Sequence, residues 1–355
     1  MPAWSLALPV LAAIVLATVW ERPLGWALVV LVSVALIAAV FAAVHHAEVI
    51  ALRVGEPFGT LILALAVTAI EASLVVTLMI SGGEAATALA RDTVFATVMI
   101  ICNGVVGLCL LLGALRHHVL QFKVEGTIPA LAALATLVVL TLVLPRYTTT
   151  TPGPTLSPGQ LVFTGVIAIT MYAVYVFVQT IRHRDYFLSA GVADDDEAHA
   201  PPPTATATGL ALVLLLVALT AVVGLAKSLA PDIEAGVQAL GVPHAVVGIV
   251  IAVLVLLPET VAAVRAALRN RMQTSFNLAL GSALATIGLT IPVVAAASLI
   301  LAMPLALGLP PMETALLVLT LFITSLTLAQ SRATVLQGAV HLVLLAVFLF
   351  LAVVP

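Results

Sequence analysis

The sequence predicts an all-α polytopic membrane protein with about eleven transmembrane helices. The chain has 355 residues, of which 63% are hydrophobic and 8% are charged, whereas an average soluble domain has roughly 25% charged residues. Runs of about 20 apolar residues, the length that crosses a bilayer, recur along the whole sequence. Two of these runs contain one glutamate near the middle, Glu71 and Glu259. The composition excludes a soluble globular fold and indicates a lipid environment, and the net charge of −3 gives no indication of a nucleic-acid partner.

Charged, Pro-rich and Gly-rich breaks separate eleven candidate spans. The ninth is long and contains Pro292, so it is either one kinked helix or two shorter pieces. The first has no basic region and no small-residue cleavage site, and we interpret it as a span rather than a cleaved signal peptide. The candidate spans are Trp4 to Trp20, Leu24 to Val44, Pro57 to Ile80, Thr93 to Leu115, Ile128 to Leu144, Gln160 to Ile181, Thr208 to Leu229, Pro243 to Val264, Ser275 to Met303, Glu313 to Ala329 and Ala333 to Val353.

The distribution of Lys and Arg predicts the orientation of these spans. The loops after even-numbered spans contain nine basic residues and those after odd-numbered spans contain four. Cytoplasmic loops are richer in Lys and Arg, which places the N-terminus in the cytoplasm and the C-terminus outside. In this arrangement four histidines fall in cytoplasmic loops, where we expect them to be solvated: His45, His46, His117 and His118.

A polar central segment divides the chain into two halves. Without the first span, five spans precede this segment and five follow it, so the two halves must enter the membrane in opposite orientations, as an inverted repeat. A glycine precedes the glutamate by twelve positions in the first half and by eleven in the second (Gly59 and Gly248). The predicted parts are an extra N-terminal helix (1–22), a first repeat with Glu71 (23–181), an acidic cytoplasmic linker (182–207) and a second repeat with Glu259 (208–355).

The acidic cluster Asp194 to Glu197 lies in this linker. Acidic segments rich in Pro and Thr rarely pack, so we interpret the cluster as part of a solvated linker rather than a calcium sensor. No complete EF-hand pattern is present.

The two glutamates are the candidate ion-binding residues. Each is the only formal charge in its apolar stretch, and a carboxylate inside a membrane costs several kcal/mol, so such residues mark ion or proton pathways. Inverted repeats can bring Glu71 and Glu259 together. Two facing carboxylates suit a hard divalent cation such as calcium, which prefers oxygen ligands. Protons compete for the same oxygens, and this competition is the chemistry that proton-coupled exchange requires.

Neutral oxygen atoms near the glutamates complete the predicted site. Thr68 lies one helical turn before Glu71, on the same face. Asn103 and Asn277 come from the helices that follow the glutamates, each with a glycine four positions later, and Ser282 lies near Asn277. The alternatives are that the two asparagines join helices and that Ser282, Thr286 and Thr290 bond to their own helix. His341 is more typical of a core histidine than of a proton relay.

Two long segments carry a resemblance to a known family. GTLILALAVTAIEASLVVTLMI and VVGIVIAVLVLLPETVAAVRAALRNRMQTSFNLALGSALATIGLTIP resemble the two alpha repeats of the calcium/cation antiporter superfamily. The resemblance is strongest to the bacterial calcium/proton antiporters that also exchange sodium and potassium for protons, and it covers nearly the whole chain. It implies an eleven-helix exchanger of the bacterial inner membrane, without a resident cofactor, in which Glu71 and Glu259 bind the cation and protons in turn.

The same resemblance assigns the neutral positions. Asn103, Asn277 and Ser282 match polar positions of the helices that follow the glutamates. Many family members carry an asparagine three residues before each key glutamate, where this chain has Thr68 and Leu256. The substitution removes two amide oxygens from the expected site, which bears on whether calcium, sodium or potassium is the main substrate.

Other function classes fit the sequence less well. It has no HExxH motif, no GxSxG with a histidine partner and no phosphate-binding GxxxxGK[ST] loop, which argues against an intramembrane enzyme and a nucleotide-driven pump. A channel normally has a ring of identical subunits around its filter, whereas an internal inverted repeat favours alternating access. The sequence indicates no particular oligomeric state.

Overall fold

The computed structural model describes residues 1–20, 22–55, 58–82, 86–188, 203–241 and 243–355. In these ranges ten helices are long and apolar enough to cross a bilayer, and an eleventh apolar helix, Ala3–Val19, is shorter. At 1.5 Å per residue, its 17 residues extend about 25 Å, somewhat less than a hydrocarbon core of about 30 Å. The predicted all-α polytopic fold is confirmed.

Fourteen α-helices and two very short strands make up the described structure. The helices are α1 (Ala3–Val19), α2 (Trp26–Val54), α3 (Phe58–Gly82), α4 (Leu89–Met99), α5 (Val106–His117), α6 (Val124–Val138), α7 (Pro158–Phe177), α8 (Arg184–Phe187), α9 (Ala205–Leu240), α10 (Ala245–Leu268), α11 (Met272–Ala285), α12 (Ile291–Leu301), α13 (Pro311–Leu328) and α14 (Val335–Val353). The strands β1 (Leu120–Gln121) and β2 (Arg332–Ala333) pair antiparallel, with Leu120 opposite Ala333.

Four π-helical segments interrupt or extend the long helices. They are Ile100–Val105 between α4 and α5, Val139–Val143 after α6, Val178–Arg182 after α7 and Thr286–Thr290 between α11 and α12. A π-turn inserts one residue into a helix and is frequent at functional sites. Two of these segments, Ile100–Val105 and Thr286–Thr290, have an α-helix on both sides and lie in the interior of the spans Leu89–His117 and Met272–Leu301.

Local sequence signals explain several helix ends. Ser157 and Gln160 form a reciprocal capping box at the start of α7, followed by a proline at the first helical position, and Thr334 and Gln337 form another at the start of α14. Such boxes satisfy backbone N–H groups that the first turn leaves open. Helix α2 ends at Gly55, whose φ of +74° suits a residue without a Cβ.

The described residues fall into two compact units. The first consists of Met1–Ala86 and Asp194–Val247 and contains α1, α2, α3 and α9. Helix α9 packs against each of the other three, and α2 packs against α1 and α3. In this unit Nε2 of His46 lies 2.8 Å from the carbonyl oxygen of Ser5, which joins α2 to α1.

The second unit consists of Thr87–Ala193 and Gly248–Pro355. Among the described spans, the helix Leu89–His117 in this unit has the largest buried share. Helix α11 packs against α5, α6 and the π-segment Ile100–Val105, α12 packs against α7, and α14 packs against α5. The second unit is therefore built around the α4–α5 helix.

The predicted end of the second span and the predicted loop positions of His45, His46 and His117 need correction. Helix α2 continues ten residues beyond Val44 to Val54, so His45 and His46 lie within it rather than in a loop, and His46 is fully buried. The cause is that apolar residues continue at helical spacing and are buried, as at Ala47 and Val49. His117 is also helical and half-buried, with Nε2 2.9 Å from the carbonyl oxygen of Leu268, whereas His118 is exposed as expected.

The ninth span is one continuous helix, Met272–Leu301. Its π-segment ends at Thr290, two residues before Pro292. Proline has no N–H to donate to the preceding turn, and the changed hydrogen-bond pattern of the π-segment accommodates it without breaking the helix. Helix α9 begins at Ala205 and runs to Leu240, beyond the predicted end at Leu229.

The helix bounds do not test two predictions, namely the solvated acidic linker and the inverted repeat. The acidic cluster Asp194 to Glu197 lies outside the described residues. Each compact unit combines segments from both predicted halves of the chain, because packing and repeat symmetry divide a chain differently. The boundaries of the inverted repeat therefore stay a prediction.

Candidate functional site

Polar side chains occupy the midpoints of the helices that sequence analysis singled out. Glu71 lies thirteen residues after the start of α3 at Phe58 and eleven before its end. Glu259 lies fourteen residues after the start of α10 and nine before its end. Asn103 lies fourteen residues from each end of the span Leu89–His117, within the π-segment. A polar group at the centre of a span lies where water is least available, which makes it a candidate for a functional role.

In the first unit, Glu71 and Thr68 are both buried, with 1% and 5% of their surface exposed. They are three residues apart and share one face of α3. Gly59, near the start of the same helix, faces α2, where a Cβ would come within 2.6 Å of the carbonyl oxygen of Ala51. This glycine permits close packing of α3 on α2.

In the second unit, α10 runs beside the α4–α5 helix in the same direction. Near the start of α10, a Cβ on Gly248 would come within 2.8 Å of the backbone nitrogen of Thr93. Near its end, a Cβ on Gly113 of α5 would lie 3.4 Å from the carbonyl oxygen of Ala267. The start of α10 thus contacts the start of the α4–α5 helix, and the ends of the two helices are also in contact.

These two contacts place Glu259 and Asn103 at the same depth. Glu259 lies eleven residues after Gly248, and Asn103 lies ten residues after Thr93. With a rise of 1.5 Å per residue, both are about 15 Å from the contact near the helix starts. The second unit therefore has a carboxylate and an amide at one level, with Asn103 in the most buried described span and Glu259 half-buried on α10.

Asn103 is fully buried and hydrogen-bonded on both sides of its amide. Its Nδ2 donates to Oγ1 of Thr320 on α13 at 2.9 Å, and its Oδ1 lies 3.4 Å from Nδ1 of His341 on α14. The other ring nitrogen of His341 lies 3.1 Å from Oγ1 of Thr327. The amide thereby connects three helices, which combines the two interpretations of Asn103: it joins helices and it lies at the predicted site.

Buried hydroxyl groups lie along the same helices. Oγ1 of Thr93, Thr97 and Thr290 is buried, and none has a hydrogen-bond partner among the described residues. Buried polar groups are normally hydrogen-bonded to protein or to ordered water, so each of these hydroxyls can accept a water molecule or contribute an oxygen to a passing cation. Thr290 does not bond back to its own helix, contrary to one alternative.

The structure separates Asn277 from this level. Asn277 lies only five residues from the start of the span Met272–Leu301, whereas Thr286 lies fourteen residues from it, at a position equivalent to that of Asn103 in its own span. Thr286 is buried and begins the π-segment. By depth, Thr286 and not Asn277 is therefore the counterpart of Asn103. The signal available in the sequence was the distance of each polar residue from the helix ends.

Asn277 instead belongs to a hydrogen-bonded cluster near the central linker. Its Oδ1 accepts from Nε2 of Gln273 at 3.1 Å and its Nδ2 donates to the carbonyl oxygen of Phe187 on α8. Oε1 of Gln273 accepts from the backbone nitrogen of Lys123 at 2.8 Å. Ser282 is half-buried, one turn further along α11. The part played by Asn277 and Ser282 in cation binding stays a prediction.

The described residues contain no group of three or more His, Cys, Asp or Glu side chains that could hold a metal ion.

Comparison with known proteins identifies the family. The model of the family described as "Sodium/calcium exchanger protein" matches residues 24–181 and 210–354. The "Putative ionic transporter y4hA" of Sinorhizobium fredii (strain NBRC 101917 / NGR234) is 48% identical over 361 residues, with 100% of this chain and 97% of that protein covered. The "Sodium-potassium/proton antiporter ChaA" of Escherichia coli (strain K12) is 35% identical over 351 residues, with 97% and 94% covered.

A solved structure has the same fold. The H+/Ca2+ exchanger CAX superposes with a TM-score of 0.69 over 97% of this chain and 86% of that chain, at 15% identity. These relatives and this neighbour are transporters, not enzymes. Since the family model covers both halves of the sequence and two relatives align along nearly all of it, the chain belongs to the sodium/calcium exchanger protein family, within the calcium/cation antiporter superfamily.

Proposed function

We propose that this protein is a secondary antiporter of the bacterial inner membrane that exports calcium from the cytoplasm in exchange for protons. Glu71 and Glu259 bind the cation or protons in turn as the protein alternates between inward-open and outward-open states. The observation that carries the proposal is the common depth of Glu259 and Asn103 at the centre of the second unit. A carboxylate at the same depth as a neutral amide oxygen, at mid-membrane, is suited to a transported cation.

The chemistry of exchange follows from competition at the carboxylates. A hard cation such as calcium is bound by carboxylate and neutral amide or hydroxyl oxygens, and in the second unit Glu259 and Asn103 offer a carboxylate and an amide at one depth. A proton on the carboxylate removes the negative charge that attracts the cation. Binding of one therefore displaces the other, and a gradient of protons can drive the cation in the opposite direction.

A second candidate is an antiporter whose main substrates are sodium or potassium. The name of the Escherichia coli relative supports it, as does Thr68, which places a hydroxyl where many family members have an amide oxygen. Calcium takes about six to eight oxygen ligands, so a site with fewer amide oxygens is expected to bind calcium less tightly. The two candidates share the carboxylates and differ in cation preference.

The test is proton flux in proteoliposomes or everted membrane vesicles with an imposed pH gradient. Calcium, sodium and potassium are added in turn, and collapse of the gradient is followed with a pH-sensitive dye. We expect each active cation to collapse the gradient, with calcium effective at the lowest concentration. A lower KM for sodium or potassium would favour the second candidate.

The matched variants are Glu71→Gln and Glu259→Gln, since glutamine is nearly isosteric and neutral. Each is expected to abolish exchange while the protein still inserts at wild-type levels. Wild-type exchange by either variant would remove that glutamate from the mechanism. No response of the wild type to any of the three cations, from folded and inserted protein, would refute the antiporter proposal.

A further inference from the structure

The surroundings of Asn103 form a directed chain of hydrogen bonds. In this amide orientation Oδ1 of Asn103 accepts, so Nδ1 of His341 is the donor in the 3.4 Å contact between them, and the ring also hydrogen-bonds the backbone of Cys102. On the far side of the ring, Nε2 then accepts from the hydroxyl of Thr327. His341 and Thr320 are fully buried, and Thr327 is 4% exposed. Because these groups are buried, their hydrogen bonds to one another decide how each is oriented.

The nitrogen side of the amide is held independently. Nδ2 of Asn103 donates to Oγ1 of Thr320 at 2.9 Å and has Sδ of Met99 at 4.0 Å, and Oγ1 of Thr320 in turn lies 3.4 Å from that sulfur. The two N–H groups thus face two acceptors. The reversed amide would turn its oxygen toward the sulfur and its N–H groups toward the N–H of His341.

We propose that His341 is a positioning residue for cation binding, which holds the amide of Asn103 with its oxygen available to the transported ion. The bond to His341 uses one of the two lone pairs of Oδ1, and the other remains for a cation. Without the donor at Nδ1 the amide can rotate by half a turn. It would then present its N–H groups, the positive end of its dipole, to the ion.

The close packing of α14 on α5 keeps the ring in place. A Cβ on Gly338 of α14 would lie 2.5 Å from the backbone nitrogen of Leu111, and a Cβ on Gly107 of α5 would lie 3.0 Å from Cβ of His341. Glycines at both positions let the two helix backbones approach. His341 follows Gly338 by three residues, on the same face of α14.

The inference rests on the proposed exchange activity and is tested with the full chain in proteoliposomes. Two variants each preserve one of the two hydrogen-bonding positions of the imidazole ring. In His341→Asn the amide nitrogen can occupy the place of Nδ1, and in His341→Gln the longer side chain places it near Nε2, away from Asn103. Thr320→Val, which removes the acceptor for the amide N–H, tests the same orientation from the other side. Thr141→Val is the control, since that buried hydroxyl bonds only to the carbonyl oxygen of Leu137 in its own helix.

We expect His341→Gln to raise the KM for the cation by about tenfold or more, as loss of a residue that orients a metal ligand does. His341→Asn should recover most of that loss, Thr320→Val should raise KM in the same direction, and Thr141→Val should leave KM at its wild-type value. Equal KM values for the asparagine and glutamine variants, or losses confined to Vmax, would overturn the positioning role. A wild-type protein without cation–proton exchange would instead overturn the proposed function, and the inference with it.

Discussion

Substitution of Gly338 by alanine tests the packing that brings α14 against α5. The added Cβ would lie 2.5 Å from the nitrogen and 2.8 Å from Cα of Leu111, and 3.0 Å from the carbonyl oxygen of Gly107. All three are backbone atoms, which cannot rotate away. Ordinary contact between such atoms needs about 3.5 Å, so the two helices must separate by about 1 Å.

This separation has a stability cost and a local consequence. Overpacking of a tight interface costs typically about 1–3 kcal/mol. The contact between Nδ1 of His341 and Oδ1 of Asn103 is already 3.4 Å long, and a further 1 Å would break it. Gly338→Ala should therefore lower both the thermal stability and the affinity for the transported cation.

Two other glycines are matched controls for this prediction. A Cβ on Gly104 would meet side-chain atoms of Leu345 at 3.3 Å, which can move, and a Cβ on Gly236 of α9 would meet nothing within 4 Å. Thermal unfolding of the purified variants should rank Gly236→Ala as most stable, since alanine favours a helix over glycine by about 1 kcal/mol, then Gly104→Ala, then Gly338→Ala. Equal stability of the Gly104 and Gly338 variants would refute the close helix approach.

Further predictions concern other regions of the chain. Asn103→Ala should raise the cation KM far more than Asn277→Ala, because Asn103 lies at mid-span and Asn277 near a helix end; cation titrations of both variants decide this, and a larger effect at Asn277 would contradict the depth argument. His46→Leu removes the bond to Ser5 across α1 and α2 and should cost about 1–3 kcal/mol, measured by thermal unfolding, with exposed His244→Leu as the neutral control. Neutralising Asp194 to Glu197 should leave exchange intact, and complete loss of transport in well-inserted protein would contradict the solvated-linker interpretation.

The sequence was sufficient for the fold class because membrane spans are set by local composition. A run of apolar residues long enough to cross a bilayer is a helix wherever it lies, since only internal hydrogen bonds satisfy its backbone in lipid. The positions of Glu71 and Glu259 near mid-helix followed from the same counting. Helix ends were less predictable: α2 continues through His45, His46 and Glu48 because its buried face continues, which charge alone does not reveal.

The neutral residues that lie at the level of the glutamates could be identified only from their depth in the helices and from contacts between helices. Asn103 and Asn277 look equivalent in sequence, since each is followed by a glycine four residues later. In the structure they lie at different levels, and Thr286 takes the central place. A pattern of four residues describes one helical turn, whereas depth in the membrane depends on where the whole helix begins and ends.

The sequence by itself determined that this chain spans a membrane many times and that two carboxylates lie within the spans, because both properties follow from composition and spacing. Only the tertiary structure decided that His341, more than two hundred residues from Asn103, contacts its amide. That contact depends on glycines that let α5 and α14 approach closely, and on hydroxyls of α13 that take up the remaining hydrogen bonds. Such partners come from distant parts of the chain, and only packing brings them together.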